Sequence, residues 1–179
     1  MISHFKQQFL AGILLCTITT ACAQPSTKET TKQTPMNNTA TAEHNKQAIR
    51  NLYEKIINER QLDQLNTVIS DEFTSEGLAP GVEGYRQTVT SLTEGFPDIK
   101  FTIEDLLADG NKVIVRWSWK GSHTGSFRGI PASNKIINNA AIVIYEFKNG
   151  KAIRSWLQGD RLGVLQQIGV VPASFVKPN

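Results

Sequence analysis

The sequence predicts an α+β domain in which helices come first and an antiparallel meander follows, the helices packing on one face of the sheet. Three observations carry this. The apolar period changes from helical to alternating at Pro97. Two hairpin signals, Asp109-Gly110 and Asn149-Gly150, punctuate the second half. A final apolar stripe lies between Asp160 and Gly169, residue types that cap a helix at its start and its end.

The chain opens with a single lysine, Lys6, and an apolar run over residues 9–21, shorter than the ~20 apolar residues needed to span a bilayer. A charged start, a short apolar run and small residues after it describe an export signal over residues 1–22. Thr20-Ala21-Cys22 is similar to the end of a bacterial lipoprotein box, which would make Cys22 the lipidated first residue of an envelope-anchored protein. Ala21-Cys22-Ala23 also fits a small-x-small cleavage site, which would leave Gln24 first and the protein periplasmic or secreted. Residues 23–43 are rich in threonine and contain no aromatic side chain. Too little apolar surface is available there to offset the entropy of ordering, so the segment reads as a disordered tether. The folded domain is expected over residues 44–179.

Ala48, Ile49, Leu52, Tyr53, Ile56 and Ile57 recur at helical spacing. Asn58 to Gln61 interrupts, and Leu62, Leu65, Val68 and Ile69 make a shorter second helix. A brief extended piece, Glu72-Phe73-Thr74, precedes the Pro80-Gly81 turn. Tyr85, Val89, Leu92 and Phe96 form a third helix, stopped by Pro97. Strands follow over 99–107, 113–120, 136–147 and 152–158, with a glycine-rich loop over 121–133.

Composition removes several function classes. The chain carries 19 basic and 16 acidic residues for a net charge of +3. That balance offers no footprint for nucleic acid or anionic lipid. Both cysteines, Cys16 and Cys22, precede the domain, which leaves it without a disulfide, a cysteine nucleophile or a thiolate metal site. Of three histidines only His123 lies deep in the domain, so a site with several histidine ligands is excluded and no metal is expected.

The run Gly95-Phe-Pro-Asp-Ile-Lys-Phe-Thr-Ile-Glu-Asp-Leu, the segment from Val113 to Pro131 with its Gly-x-His-x-Gly-x-Phe-x-Gly-x-Pro loop, Asn149-Gly-Lys, and Trp156 with the Asp160-Arg-Leu-Gly-Val-Leu-Gln-Gln-Ile-Gly helix together resemble the SnoaL-like polyketide cyclase (ester cyclase) family of the nuclear-transport-factor-2-like superfamily. The resemblance covers about residues 45–171. It implies a cone-shaped barrel of a curved, mainly antiparallel sheet wrapped around three N-terminal helices, with a short C-terminal helix. It also implies an apolar pocket for a small hydrophobic organic molecule, acid/base chemistry without cofactor, and a homodimer paired through the outer face of the sheet. Such chemistry needs a carboxylate or imidazole in an apolar pocket, where burial raises its basicity, and donors that hold the resulting enolate.

Carried over residue by residue, the family's first pocket histidine falls on Glu76, its second on Val143, and its aspartate base on Leu157. Glu76 is therefore the candidate base. His123 is a candidate donor or proton shuttle, or else a loop residue that fixes the strand end. Asp160 is a candidate catalytic carboxylate, or else the N-cap of the last helix. Tyr85, Asn139, Val143, Leu157 and Trp117 are the candidate substrate-binding residues. Asn139 shares strand parity with Val143 and Tyr145 and could hold a carbonyl oxygen. Three functions stay open at this point: a cofactor-independent enzyme, a binding module that has lost the cyclase base, and an epoxide-hydrolase or isomerase chemistry.

Overall fold

The protein's computed structural model describes residues 35–172. The predicted signal, Cys22 and residues 23–34 of the predicted tether lie outside the described residues. Helix α1 runs Pro35–Asn51 and so begins inside the stretch expected to be tether. Proline is well suited to a first helical position, where its missing N–H would have no partner in any case. The threonine content concealed this, since composition averages over a window in which local signals decide.

From Leu52 to Ile57 the helix widens into a π-type turn. There the Asn58 N–H donates five residues back to the Tyr53 carbonyl at 3.1 Å. Ile49, Leu52, Tyr53, Ile56 and Ile57 are all buried, so the predicted stripe is the inner face of this segment. The second predicted helix is a 3-10 helix, Leu62–Thr67, which buries Leu65. The brief extended piece is a full strand, β1, over Ile69–Ser75. Helix α2 spans Gly81–Gly95. The meander follows as β2 Lys100–Asp109, β3 Lys112–Ser122, β4 Ile136–Lys148 and β5 Lys151–Gly159, closed by α3 Arg161–Ile168.

The five strands lie in the order β1-β5-β4-β3-β2, antiparallel except that β1 runs parallel to β5. The sheet is therefore mixed and not closed. It curves over α1, which packs on β2 and β3, and over α2, which packs on β1. This is the expected cone, with its inner face carrying Val113, Val115, Trp117, Trp119, Val143 and Tyr145, all buried. Asn58 fastens the helical layer to the edge strand: its amide donates to the Phe101 carbonyl at 2.9 Å and accepts from the Phe101 N–H at 2.8 Å.

The outer face carries a different pattern. Leu107, Ile114, Ile144 and Trp156 stand directly opposite one another across β2, β3, β4 and β5. Leu107 is 63% exposed, Trp156 42% and Ile142, beside them on β4, 48%. Trp156 also has the Lys112 ammonium and the Arg154 guanidinium within 5.6 and 5.7 Å of its ring centre.

The loop between β3 and β4 is folded back on the end of α2. The Gly125 N–H donates to the Gly95 carbonyl at 3.1 Å. A Cβ on Gly125 would overlap the Glu94 carbonyl oxygen, and one on Gly95 would stand 2.7 Å from the Phe127 Cβ. These glycines therefore set how closely the loop seats. A tight turn at Arg128 and Gly129, both at positive φ, lets Phe127 and Ile130 exchange hydrogen bonds and hold the loop's shape.

Candidate functional site

The chain contains three tyrosines, and the fold brings all three hydroxyls together. Tyr145 is central, with its Oη 2.9 Å from that of Tyr53 and 3.0 Å from that of Tyr85. Tyr53 comes from the π-type turn, Tyr85 from α2 and Tyr145 from the inner face of β4. All three side chains are buried. Burial, before any other cause, raises their pKa values: Tyr85 is pushed up to about 12, and Tyr53 and Tyr145 well above 10.0. The trio is thus neutral around pH 7 and acts as hydrogen-bond donor and acceptor, not as base.

Tyr53 and Tyr85 also interact directly, so the three hydroxyls form one mutually bonded group whose contacts strengthen one another in a low-dielectric setting.

These tyrosines line a cavity of about 560 Å³, within the range of small-molecule sites. Phe101 and Trp117 meet edge to face at 5.1 Å and flank Tyr53 at 5.5 and 6.3 Å. The Trp117 Nε1–H is buried beside the Tyr53 hydroxyl and acts on it without meeting full hydrogen-bond geometry. Ser75 and Ser155, on the parallel strand pair, satisfy each other: Ser155 Oγ donates to Ser75 Oγ at 3.0 Å. Gln87, Arg128, Leu157 and Arg161 line the cavity while remaining exposed, so they belong to its rim. Arg128 lies over the Phe127 ring at 5.6 Å.

The expected substrate-binding residues Tyr85, Asn139, Val143, Leu157 and Trp117 all line this one cavity. The expected catalytic residues do not. Glu76 sits on the exposed turn after β1, outside the cavity lining although its neighbours Ser75 and Gly77 belong to it. The turn carries its side chain away because the chain reverses there, with Gly77 at φ 75°.

His123 is wholly buried beneath the glycine loop, also outside the cavity. Its Nδ1 accepts from the Ser133 N–H at 3.2 Å and lies 3.0 Å from the Ser133 hydroxyl. Those contacts place the ring hydrogen on Nε2. The ring stacks on Phe96 at 5.0 Å, and burial holds its pKa below the ordinary 6.5. His123 also pairs through its backbone with Asn134 and Lys135, so it closes the base of the loop.

Asp160 accepts the Gly163 N–H at 2.7 Å and is the N-cap of α3, with Gly169 at φ 101° after its end. Its carboxylate is committed to orphan helix N–H groups. Among the described residues that line the cavity there is no aspartate, glutamate or histidine. Of the trio, only Tyr85 stands out in the sequence as a binding residue; the signal for Tyr145 is its strand parity with Asn139 and Val143, and for Tyr53 its place on the apolar stripe.

The family model for the SnoaL-like polyketide cyclases matches residues 47–168. Among solved structures, TsrD from Streptomyces laurentii is similar at 25% identity and a TM-score of 0.64, over 74% of this chain and 97% of that one. A SnoaL-like polyketide cyclase from Agrobacterium tumefaciens is similar at 25% identity and a TM-score of 0.60, over 69% and 98%. IdmH from Streptomyces antibioticus shares the fold at 24% identity and a TM-score of 0.60, over 70% and 98%. No curated protein sequence matches the chain significantly.

The cap assigns Asp160 a role that substitution separates from chemistry. Asp160→Ala should lower stability by about 0.5–2 kcal/mol, as lost N-caps do. Asp160→Asn, which keeps an acceptor oxygen, should stay within a few tenths of wild type in urea unfolding. An Asn variant as unstable as the Ala variant would show that the carboxylate charge, not the cap, is what α3 needs.

Proposed function

This chain belongs to the SnoaL-like polyketide cyclase family, and we propose that it uses the family's cavity to bind a small organic molecule without moving its protons. One observation carries the reading: the cavity is lined by aromatic and aliphatic side chains around three neutral phenols, with no carboxylate or imidazole among its described lining residues. A proton abstraction α to a carbonyl needs a base within hydrogen-bond reach of the carbon acid. Val143 and Leu157 stand where the resemblance places a histidine and the base, and Glu76, His123 and Asp160 are each held elsewhere. What remains suits binding: a concave apolar site with a few fixed polar groups that orient the ligand.

The export signal makes the chain an envelope protein, anchored through a lipid on Cys22, with the domain held outside. The outer apolar row of Leu107, Ile114, Ile144 and Trp156 is covered by the same row of a second copy. Such a pairing uses one self-complementary patch, as two-fold dimers do.

Each part has its own measurement. Native mass spectrometry of the purified protein should show a bound small molecule, and Tyr145→Phe, which breaks both contacts of the tyrosine trio, should weaken its binding about tenfold. In D2O the bound molecule should exchange its acidic carbon-bound hydrogens no faster than it does free. Accelerated exchange would instead make the protein a proton-transfer enzyme.

Cys22→Ser should move the protein from the membrane fraction to the soluble one. A mature N-terminus at Gln24 would replace anchoring with simple secretion.

Ile114→Glu with Trp156→Glu should turn a dimer into a monomer in sedimentation velocity while leaving the melting profile cooperative. A wild type that sediments as a monomer at micromolar concentration contradicts the pairing.

A further inference from the structure

The loop over residues 124–133 covers His123, and the tie between them holds in one protonation state. The imidazole Nδ1 accepts from the Ser133 N–H at 3.2 Å, and the Ser133 hydroxyl stands 3.0 Å away. Nε2 is buried and has no hydrogen-bond partner among the described residues. A second proton on the ring would go to Nδ1 and set donor against donor at the Ser133 N–H. Turning the Ser133 hydroxyl to accept that proton still strips the N–H of its acceptor. It also leaves a cation buried without a counterion, which is costly.

No charged side chain around the ring offsets this. Glu94 at the end of α2, Asp98 on the turn into β2, Lys120 on β3, Arg128 in the loop and Lys135 after it are all exposed. Arg60 is bonded to the carbonyls of Ile57, Pro97 and Ile99. Burial is the cause of the depressed pKa of the ring, and no charged group acts on it.

The two ends of the loop differ in their response to acid. At the β3 end, Asp98 accepts the Ser122 N–H at 2.6 Å and the Ser122 hydroxyl at 2.8 Å. Those bonds hold its carboxyl below the ordinary 3.8, so it stays ionised where a histidine titrates. At the other end the tie to Ser133 depends on the imidazole alone. Between them the loop is lightly held. Gly125 donates to the Gly95 carbonyl at 3.1 Å and Phe127 meets Phe96 at 5.2 Å, while Thr124, Ser126, Gly129 and Ala132 are exposed.

We propose that His123 is a proton switch: neutral, it keeps this loop closed over the cavity, and protonated, it releases the loop. Release withdraws Phe127, Arg128 and Ile130 from the cavity lining and brings the ring to water. The covered ring has the lower pKa, so closure is complete above the ordinary 6.5 and is lost as pH falls through the covered value. The switch belongs to the loop and stands whether the cavity binds or catalyses.

Amide hydrogen exchange of the unliganded protein, corrected for the intrinsic pH dependence of exchange, tests it. Protection of residues 124–133 should fall about tenfold between pH ~7 and pH ~5.5, while the β3–β4 ladder keeps its protection. His123→Asn offers an oxygen in place of Nδ1 and takes no proton, so its loop should stay protected at both values. His123→Phe keeps a ring to stack on Phe96 but has no acceptor, so its loop should be weakly protected at both. An NMR titration of the His123 ring, which needs no variant, should give a midpoint below 6.5. In a Trp156→Phe background tryptophan emission comes from the buried Trp117 and Trp119 alone, and its quenching by acrylamide should rise with acid in step with exchange.

Loop protection that ignores pH overturns the proposal, as does a ring midpoint at or above 6.5. An acid response that survives in His123→Asn places the switch on another group and overturns it too. Exchange that responds while quenching does not would overturn the opening of the cavity.

Discussion

Three phenols that must satisfy one another away from water set the terms for the inside of this cone. A buried hydroxyl without a partner costs about 1–3 kcal/mol, and Tyr145 is the partner of both others. Three elements therefore have to arrive together: the end of the first helix, α2, and the inner face of β4. The π-type turn at Leu52–Ile57 belongs to this requirement. It lengthens one helical turn by a residue just where Tyr53 leaves the helix, and such turns recur at functional positions. The same tyrosines that join helices to sheet line the cavity, so packing and recognition share their side chains.

The glycine loop is the second fixed point. Gly95 and Gly125 let it approach α2 more closely than any side chain permits. His123, joined to Ser133 and stacked on Phe96, holds its base. Phe127, Arg128 and Ile130 are thereby set into the cavity lining. The histidine in this motif is thus structural in its contacts, and its effect on a ligand runs through the loop it closes. Asp160 works similarly: by capping α3 it positions Arg161 at the first turn.

Most of the architecture was legible in the sequence because local signals fix it. The change of period at Pro97, the Asn149-Gly150 hairpin with both residues at positive φ, and the Asp160 and Gly169 caps need only neighbours in the chain. The start of α1 at Pro35 was not legible, because a threonine-rich composition hid one local signal. Nor was the pairing of β1, which lies parallel to a strand some 80 residues later and so depends on tertiary packing. At the site, correspondence with a family could place Glu76 near a pocket position, but only the turn geometry decides which way that side chain leaves the chain. The tyrosine trio joins residues 92 and 60 positions apart. Each bears the mark of a buried position in its own element, and no pattern within an element shows that their hydroxyls meet.

Burial of the three phenols has a spectroscopic consequence with a definite sign. Phenols in an unfolded chain lose their protons near pH ~10, and the buried trio keeps them to higher pH, so stability falls as pH rises through that range. Because the chain contains no tyrosine outside the trio, phenolate absorbance reports on these hydroxyls alone. The most direct test is a rapid pH-jump titration of that absorbance, with tryptophan fluorescence read in parallel to mark unfolding. A folded protein with essentially no phenolate at pH ~10, where an unfolded chain is half ionised, is the predicted result. One tyrosine ionising near neutral pH while the protein stays folded would contradict the neutral-donor site and would give the cavity a base.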